Sequence, residues 1–103
     1  MQGDPDVLRL LNEQLTSELT AINQYFLHSK MQHFWGLTEV AEYTRAEAFD
    51  EMKHAEALTD RILILDGLPN YQRLFSLRVG QTLREQFESD LAIEIEVVAR
   101  LKP

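Results

Sequence analysis

Residues 38–70, TEVAEYTRAEAFDEMKHAEALTDRILILDGLPN, decide how this chain folds. Side chains recur there at helical spacing, one stripe running Val40, Thr44, Glu47, Glu51, His54, Leu58, Ile62, Leu65 before Gly67-Leu68-Pro69 ends the helix. Acids and an imidazole occupy the middle of that stripe, where the apolar neighbours predict core positions. An unpaired buried carboxylate costs several kcal/mol, so such acids need a partner, a proton or a cation. Glu51 and His54, three residues apart, share one helix face.

The flanking sequence repeats the pattern. Asp4 before Pro5 reads as a helix start, with the proline in the first turn where its missing N–H costs nothing. The first helix, over about residues 5–34, carries a seam of Leu8, Leu11, Leu15, Glu18, Ile22 and Tyr25 and stops at Gly36. The second, over about residues 37–65, has Thr38 or a neighbour as its cap. Thr82-Leu83-Arg84-Glu85 matches a capping box and opens a third helix over about residues 83–101, with Phe87, Leu91, Glu94, Val98 and Leu101 on its stripe. His28 and His33 read as surface residues.

Between the second and third helices lies a connection over about residues 66–82, with room for one helical turn. About 17 extended residues reach roughly 56 Å. A helix of about 28 residues is about 42 Å long. The connection therefore can travel the whole length of its neighbour and start the third helix parallel to the second, the crossover of ferritin-like bundles. On these boundaries Glu18 and Glu51 lie about 20 and 21 Å from matching ends of an antiparallel pair, and Glu94 within about 3 Å of the same level. The fold expected is all-α: helices A and B, a long crossover and part of helix C of a four-helix bundle, in one domain spanning the chain.

Ten basic against 17 acidic residues leave a net charge of −7, the wrong sign for a nucleic-acid binder. No stretch approaches the roughly 18 apolar residues of a membrane span. The acidic start, Met1 to Asp6, lacks the order of a secretion signal, so a cytoplasmic location is expected. With no cysteine, any bound metal is held by oxygen and imidazole nitrogen, which favours iron, manganese or zinc.

Glu18-Leu19-Thr20-Ala21-Ile22-Asn23-Gln24-Tyr25-Phe26-Leu27-His28, Asp50-Glu51-Met52-Lys53-His54-Ala55, and the run from Asp60-Arg61-Ile62-Leu63 to Asp66-Gly67-Leu68-Pro69-Asn70 resemble bacterioferritins in sequence and spacing. The resemblance covers essentially the whole chain, with mycobacterial or related actinobacterial members the most similar. It implies a ferroxidase: two Fe(II) ions bound among carboxylates are oxidised by O2 or H2O2, and Fe(III) is stored as mineral inside a 24-subunit homo-oligomeric shell. By the same resemblance Glu18, Glu51, His54 and Glu94 are ligands of the di-iron centre, Glu51 bridging the metals. Met52 is the axial ligand of a haem b shared across a dimer interface, walled by Leu19, Ile22, Asn23 and Phe26. Tyr25 resembles a tyrosine implicated in electron supply, and Glu47 and Asp50 residues of an inner-surface iron site. Some members use a histidine in that inner site where this chain has Ala46.

Family members continue helix C and add a fourth long helix carrying a second Glu-x-x-His. The chain is thus expected to stop before that helix, with four of the six ligands and feeble or no activity alone. Two competing expectations stand beside the enzyme: a non-enzymatic haem-binding or assembly subunit with an incomplete metal centre, and, more weakly, another ferritin-like di-metal enzyme related to rubrerythrin.

Overall fold

The computed structural model describes residues 3–101. Three α-helices account for its regular structure: α1 Pro5–Phe34, α2 Thr38–Ile64 and α3 Leu83–Leu101. The Asp4 side chain accepts from the Asp6 N–H at 2.7 Å, capping α1 with Pro5 in its first turn. At its other end Gly36 takes φ +83°, and the Gly36 and Leu37 N–H groups bond back to the carbonyls of His33 and Gln32. That is a left-handed cap in which glycine escapes the Cβ penalty. Thr38 is not a cap. It is the first residue of α2, whose N-cap is Leu37 without a side-chain hydrogen bond, because the chain arrives directly from the Gly36 turn.

α2 ends in the same kind of motif, with Asp66 at φ 60° and the Gly67 N–H on the Ile62 carbonyl at 2.9 Å. Thr82 Oγ1 accepts from the Glu85 N–H at 3.1 Å, and Glu85 reaches back to the Gln81 N–H at 3.2 Å, so α3 opens on a capping box displaced by one residue. Between the helices the connection is extended and contains no helical turn.

Packing follows heptads. On α1, Leu8, Leu11, Leu15, Glu18, Ile22 and Tyr25 alternate three and four apart; on α2, Ala41, Thr44, Ala48, Glu51, Ala55, Leu58 and Ile62 do the same. Leu15 meets Ala55 and Ile62 in one cluster while Ala21 and Tyr25 meet Ala48 in the other, so α1 and α2 run antiparallel. Alanine at every seventh position of α2 admits α1 closely. It also corrects the expected stripe: Ala41, Ala48 and Ala55, not Val40, Glu47 and His54, fill the second row of the seam.

α3 lies on α1 rather than on α2. Gln86, Ile93 and Val97 are its buried residues, with Asp90 between them, whereas Phe87, Leu91 and Val98 are exposed. The expected stripe on this helix is therefore off by one residue, about 100° of rotation. Phe87, Leu91 and Glu94 line an open groove between α2 and α3 instead, and the side chain of Leu101 lies outside the described residues. Bonds pairing Gln32 with Gln86, Tyr25 with Glu94 and Ser17 with Arg100 make α3 antiparallel to α1, and hence parallel to α2. Among the described residues no helix is long and apolar enough to cross a membrane.

Candidate metal centre

Glu18 and Glu51 occupy equivalent core positions of facing helices, so both carboxylates are driven into the α1–α2 interface. His54 precedes Ala55 and flanks the seam, which leaves its side chain 61% exposed. Glu18, Glu51 and His54 each present a ligand atom, and these atoms lie within 4.8 Å of one another. His54 Nδ1 stands 3.3 Å from Glu51 Oε2 and 3.7 Å from Glu18 Oε2.

Glu18 is 4% exposed. Its Oε1 accepts from Gln14 Nε2 at 3.0 Å, but Oε2 is buried with no hydrogen-bond partner. Burial raises its pKa above the ordinary 4.5, and the Glu94 charge adds to that rise, against the Gln14 bond and the neighbouring His54. A buried oxygen in this state takes a proton or a cation.

Glu94 sits outside that group of three. It accepts a hydrogen bond from the Tyr25 hydroxyl at the edge of a cavity lined also by Tyr43, Thr44, Glu47, Phe87, Asp90 and Leu91. Burial, the bond to Glu94 and the charges of Glu94, Asp90 and Glu47 hold Tyr25 protonated far above the usual phenol range. Glu47 holds the exposed Tyr43 hydroxyl and raises its pKa. Asp50 points to solvent, 4.0 Å from Lys53 Nζ.

Met52, one residue beyond Glu51, is rotated out of the seam and 47% exposed. It lines a separate cleft with Leu19, Ile22, Ala55, Glu56, Thr59, Asp60 and Tyr71. Of the other expected wall residues, the Asn23 side chain donates back to the Leu19 carbonyl at 2.8 Å, and the Phe26 ring lies beneath the Arg45 guanidinium, 5.5 Å away.

His33 is exposed, but His28 is not a surface residue: it is fully buried, between Asp90 and the Gly80 backbone. Gln14, Gln24 and Asp90 escaped the sequence reading too. The available signal was a second polar row on α1, Thr20, Gln24, His28 and Gln32, four residues apart.

Residues 8–103 match the ferritin-like domain. The chain belongs to the ferritin family. It is 85% identical over all 103 residues to a bacterioferritin of Mycolicibacterium paratuberculosis and 49% identical over 94 residues to one of Rhodobacter capsulatus. It superposes on the bacterioferritin BfrA of Mycobacterium tuberculosis with a TM-score of 0.98 at 82% identity, covering 100% of this chain and 65% of that one. A second solved structure, the R. capsulatus bacterioferritin described with a metal-free dinuclear site and haem iron in a crystallographic special position, matches at TM-score 0.95 and 46% identity over 97% of this chain and 62% of that one. The chain spans 65% of the length of the mycobacterial relative and 58% of the R. capsulatus one. Iron storage is the business of this family.

Proposed function

We propose that this ferritin-like chain carries part of a ferroxidase centre in which Fe(II) is the substrate. Glu18, Glu51 and His54 bind it first, and Glu94 closes the set from α3. The observation that carries this reading is the buried Glu18 Oε2, without a hydrogen-bond partner and 3.7 Å from His54 Nδ1, in a cluster whose Glu18, Glu51 and His54 ligand atoms lie within 4.8 Å of one another. Hard carboxylate oxygens favour the ferric product over the ferrous substrate, and that difference assists electron loss. Each Fe(II) gives up one electron; a pair of ions reduces one O2 with two protons to H2O2, or one H2O2 with two protons to two waters. His54, half exposed, is the entry-side ligand, and Tyr25 fixes one Glu94 oxygen through its hydrogen bond. Fe(III) then passes to mineral held in a homo-oligomeric shell.

Met52 fits a second role. Its thioether is a soft donor at the mouth of a cleft walled by Leu19, Ile22 and Ala55, half of a site for a haem shared with a second copy of the chain. A haem bound there supplies a one-electron carrier.

These residues give three ligands to one cation and a fourth nearby, short of the six that a di-iron bundle uses. Anaerobic Fe(II) titration followed by oxygen addition, with Glu18→Ala and His54→Ala as controls, tests the reading. The expected result is Fe(II) binding lost in both controls, with oxidation by the chain alone little faster than in buffer. Fe(II) binding that both controls leave unchanged overturns it.

A further inference from the structure

α1 carries, beside its apolar seam, a row of four buried polar side chains at four-residue intervals: Thr20, Gln24, His28 and Gln32. Three of them receive the backbone of the extended connection. Thr20 Oγ1 accepts from the Phe75 N–H at 2.9 Å, Gln24 Oε1 from the Arg78 N–H at 2.7 Å, and His28 Nε2 from the Gly80 N–H at 2.9 Å. The fourth, Gln32, donates to Gln86 Oε1 at 2.9 Å, and Gln86 Nε2 donates to the Gly80 carbonyl at 3.2 Å. At Gly80 a Cβ would collide with the Gln86 backbone, so only glycine lets the connection press so close to α3.

The same row also grips α3. Because His28 Nε2 accepts, the ring proton is on Nδ1, which donates to Asp90 Oδ1 at 2.9 Å. Gln24 Nε2 donates to that same oxygen, also at 2.9 Å. The buried apolar cluster that α3 joins is small: Ile93 and Val97 with Ala21 and Tyr25 of α1 and Ala48 of α2. Burial of this kind is non-directional and tolerates sliding, whereas two hydrogen bonds converging on one oxygen do not. Glu94 lies four residues, one turn, beyond Asp90.

We propose that His28 and Gln24 are positioning residues: by clamping Asp90 they set the height of α3 on α1 and thereby hold Glu94 against Tyr25, beside Glu18. The inference rests on reading Glu94 as a ligand of the iron substrate. A slip of one helical turn, about 5.4 Å, carries Glu94 away from that level. The same ring serves both partners, so His28 ties the connection at Gly80 and α3 at Asp90 to one point on α1.

The test is NMR on the metal-free full chain at about pH 7. It follows the exchange of the Gly80 and Arg78 amides, corrected for intrinsic rates, and the Tyr25 ring ¹³Cζ shift as a reporter of the bond to Glu94. His28→Leu is expected to lower Gly80 protection about tenfold and to move the Tyr25 shift. His28→Gln, which keeps an acceptor for Gly80 and a donor for Asp90, restores both. The proposal is overturned by a Tyr25 shift indifferent to His28→Leu, or by a His28→Gln chain that moves that shift as far as His28→Leu does. If His28→Leu does not fold, Gln24→Met, which removes the other bond to Asp90, decides: a Tyr25 shift that it leaves unchanged overturns the proposal. A parallel Co(II) titration of the wild type separates the two readings: no binding beside an intact NMR result removes the metal-centre reading and leaves the clamp standing.

Discussion

Replacing Glu18 by glutamine separates a metal ligand from a structural acid. The amide has the same shape, and its oxygen keeps the 3.0 Å bond from Gln14. Only the orphaned, buried Oε2 is changed, to an NH2 with the Glu51 carboxylate as a nearby acceptor. Removing an uncompensated buried charge is worth about 1–3 kcal/mol, so the metal-free Glu18→Gln chain should be more stable than the wild type at pH 7 by that amount. At about 4–8 °C per kcal/mol for a domain of this size, the midpoint rises by at least about 4 °C. The pH dependence has a definite sign. Burial raises the folded-state pKa of Glu18, so its stabilising contribution is complete below the ordinary 4.5 and is lost as pH climbs through the folded value. The advantage of the variant should therefore shrink towards pH 4. Metal reverses the ranking: at a hundred times its dissociation constant, a cation that binds only the folded wild type adds about 2.7 kcal/mol, and the variant gains little. Urea unfolding of the chain with chelator and with Zn(II), at pH 4 and pH 7, reads all of this. A Glu18→Gln chain that is less stable than the wild type without metal, and gains as much from Zn(II), refutes the reasoning.

His54→Ala removes an exposed side chain, so stability should stay within about 0.5 kcal/mol while metal affinity drops by more than the 10–100-fold typical of losing an outer-shell partner; calorimetry with Zn(II) measures both. Tyr25→Phe leaves the half-buried Glu94 without its hydroxyl donor, and a loss of about 1–3 kcal/mol in urea unfolding is expected. Gly36→Ala forces a Cβ into φ +83° and should cost about 1–2 kcal/mol by the same assay, with metal binding untouched.

The helices were legible because their punctuation is local: Asp4-Pro5, Gly36, Gly67 and the Thr82 box each act within a few residues of the ends they define. The α1 seam was legible for a related reason, since Leu8, Leu11 and Leu15 fix a phase that Glu18 and Tyr25 continue. The α2 seam was only half legible. Ala41, Ala48 and Ala55 are too small to stand out against Val40, and their meaning depends on how closely α1 approaches. On α3 both Phe87-Leu91-Val98 and Gln86-Ile93-Val97 make plausible stripes. Which one faces α1 is settled by polar bonds from Gln24, His28 and Gln32, and a hydrophobicity pattern does not register those. His28 was misjudged for the same reason, because its burial depends on Gly80 and Asp90, more than fifty residues away. Of the candidate cluster, Glu18 and Glu51 were legible as acids interrupting apolar rows. His54 was legible only through its three-residue spacing from Glu51, since Ala55 takes its place in the seam, and Glu94 as a neighbour of Tyr25 needed the fold.

The central claim is that a metal ion sits between Glu18, Glu51 and His54. Anomalous diffraction at the iron edge, on crystals soaked anaerobically in Fe(II), tests it most directly. The account predicts a peak within coordination distance of both carboxylates and of a His54 ring nitrogen, absent from Glu18→Gln crystals treated in the same way. Iron bound only elsewhere on the chain, with the three side chains unmoved, contradicts it.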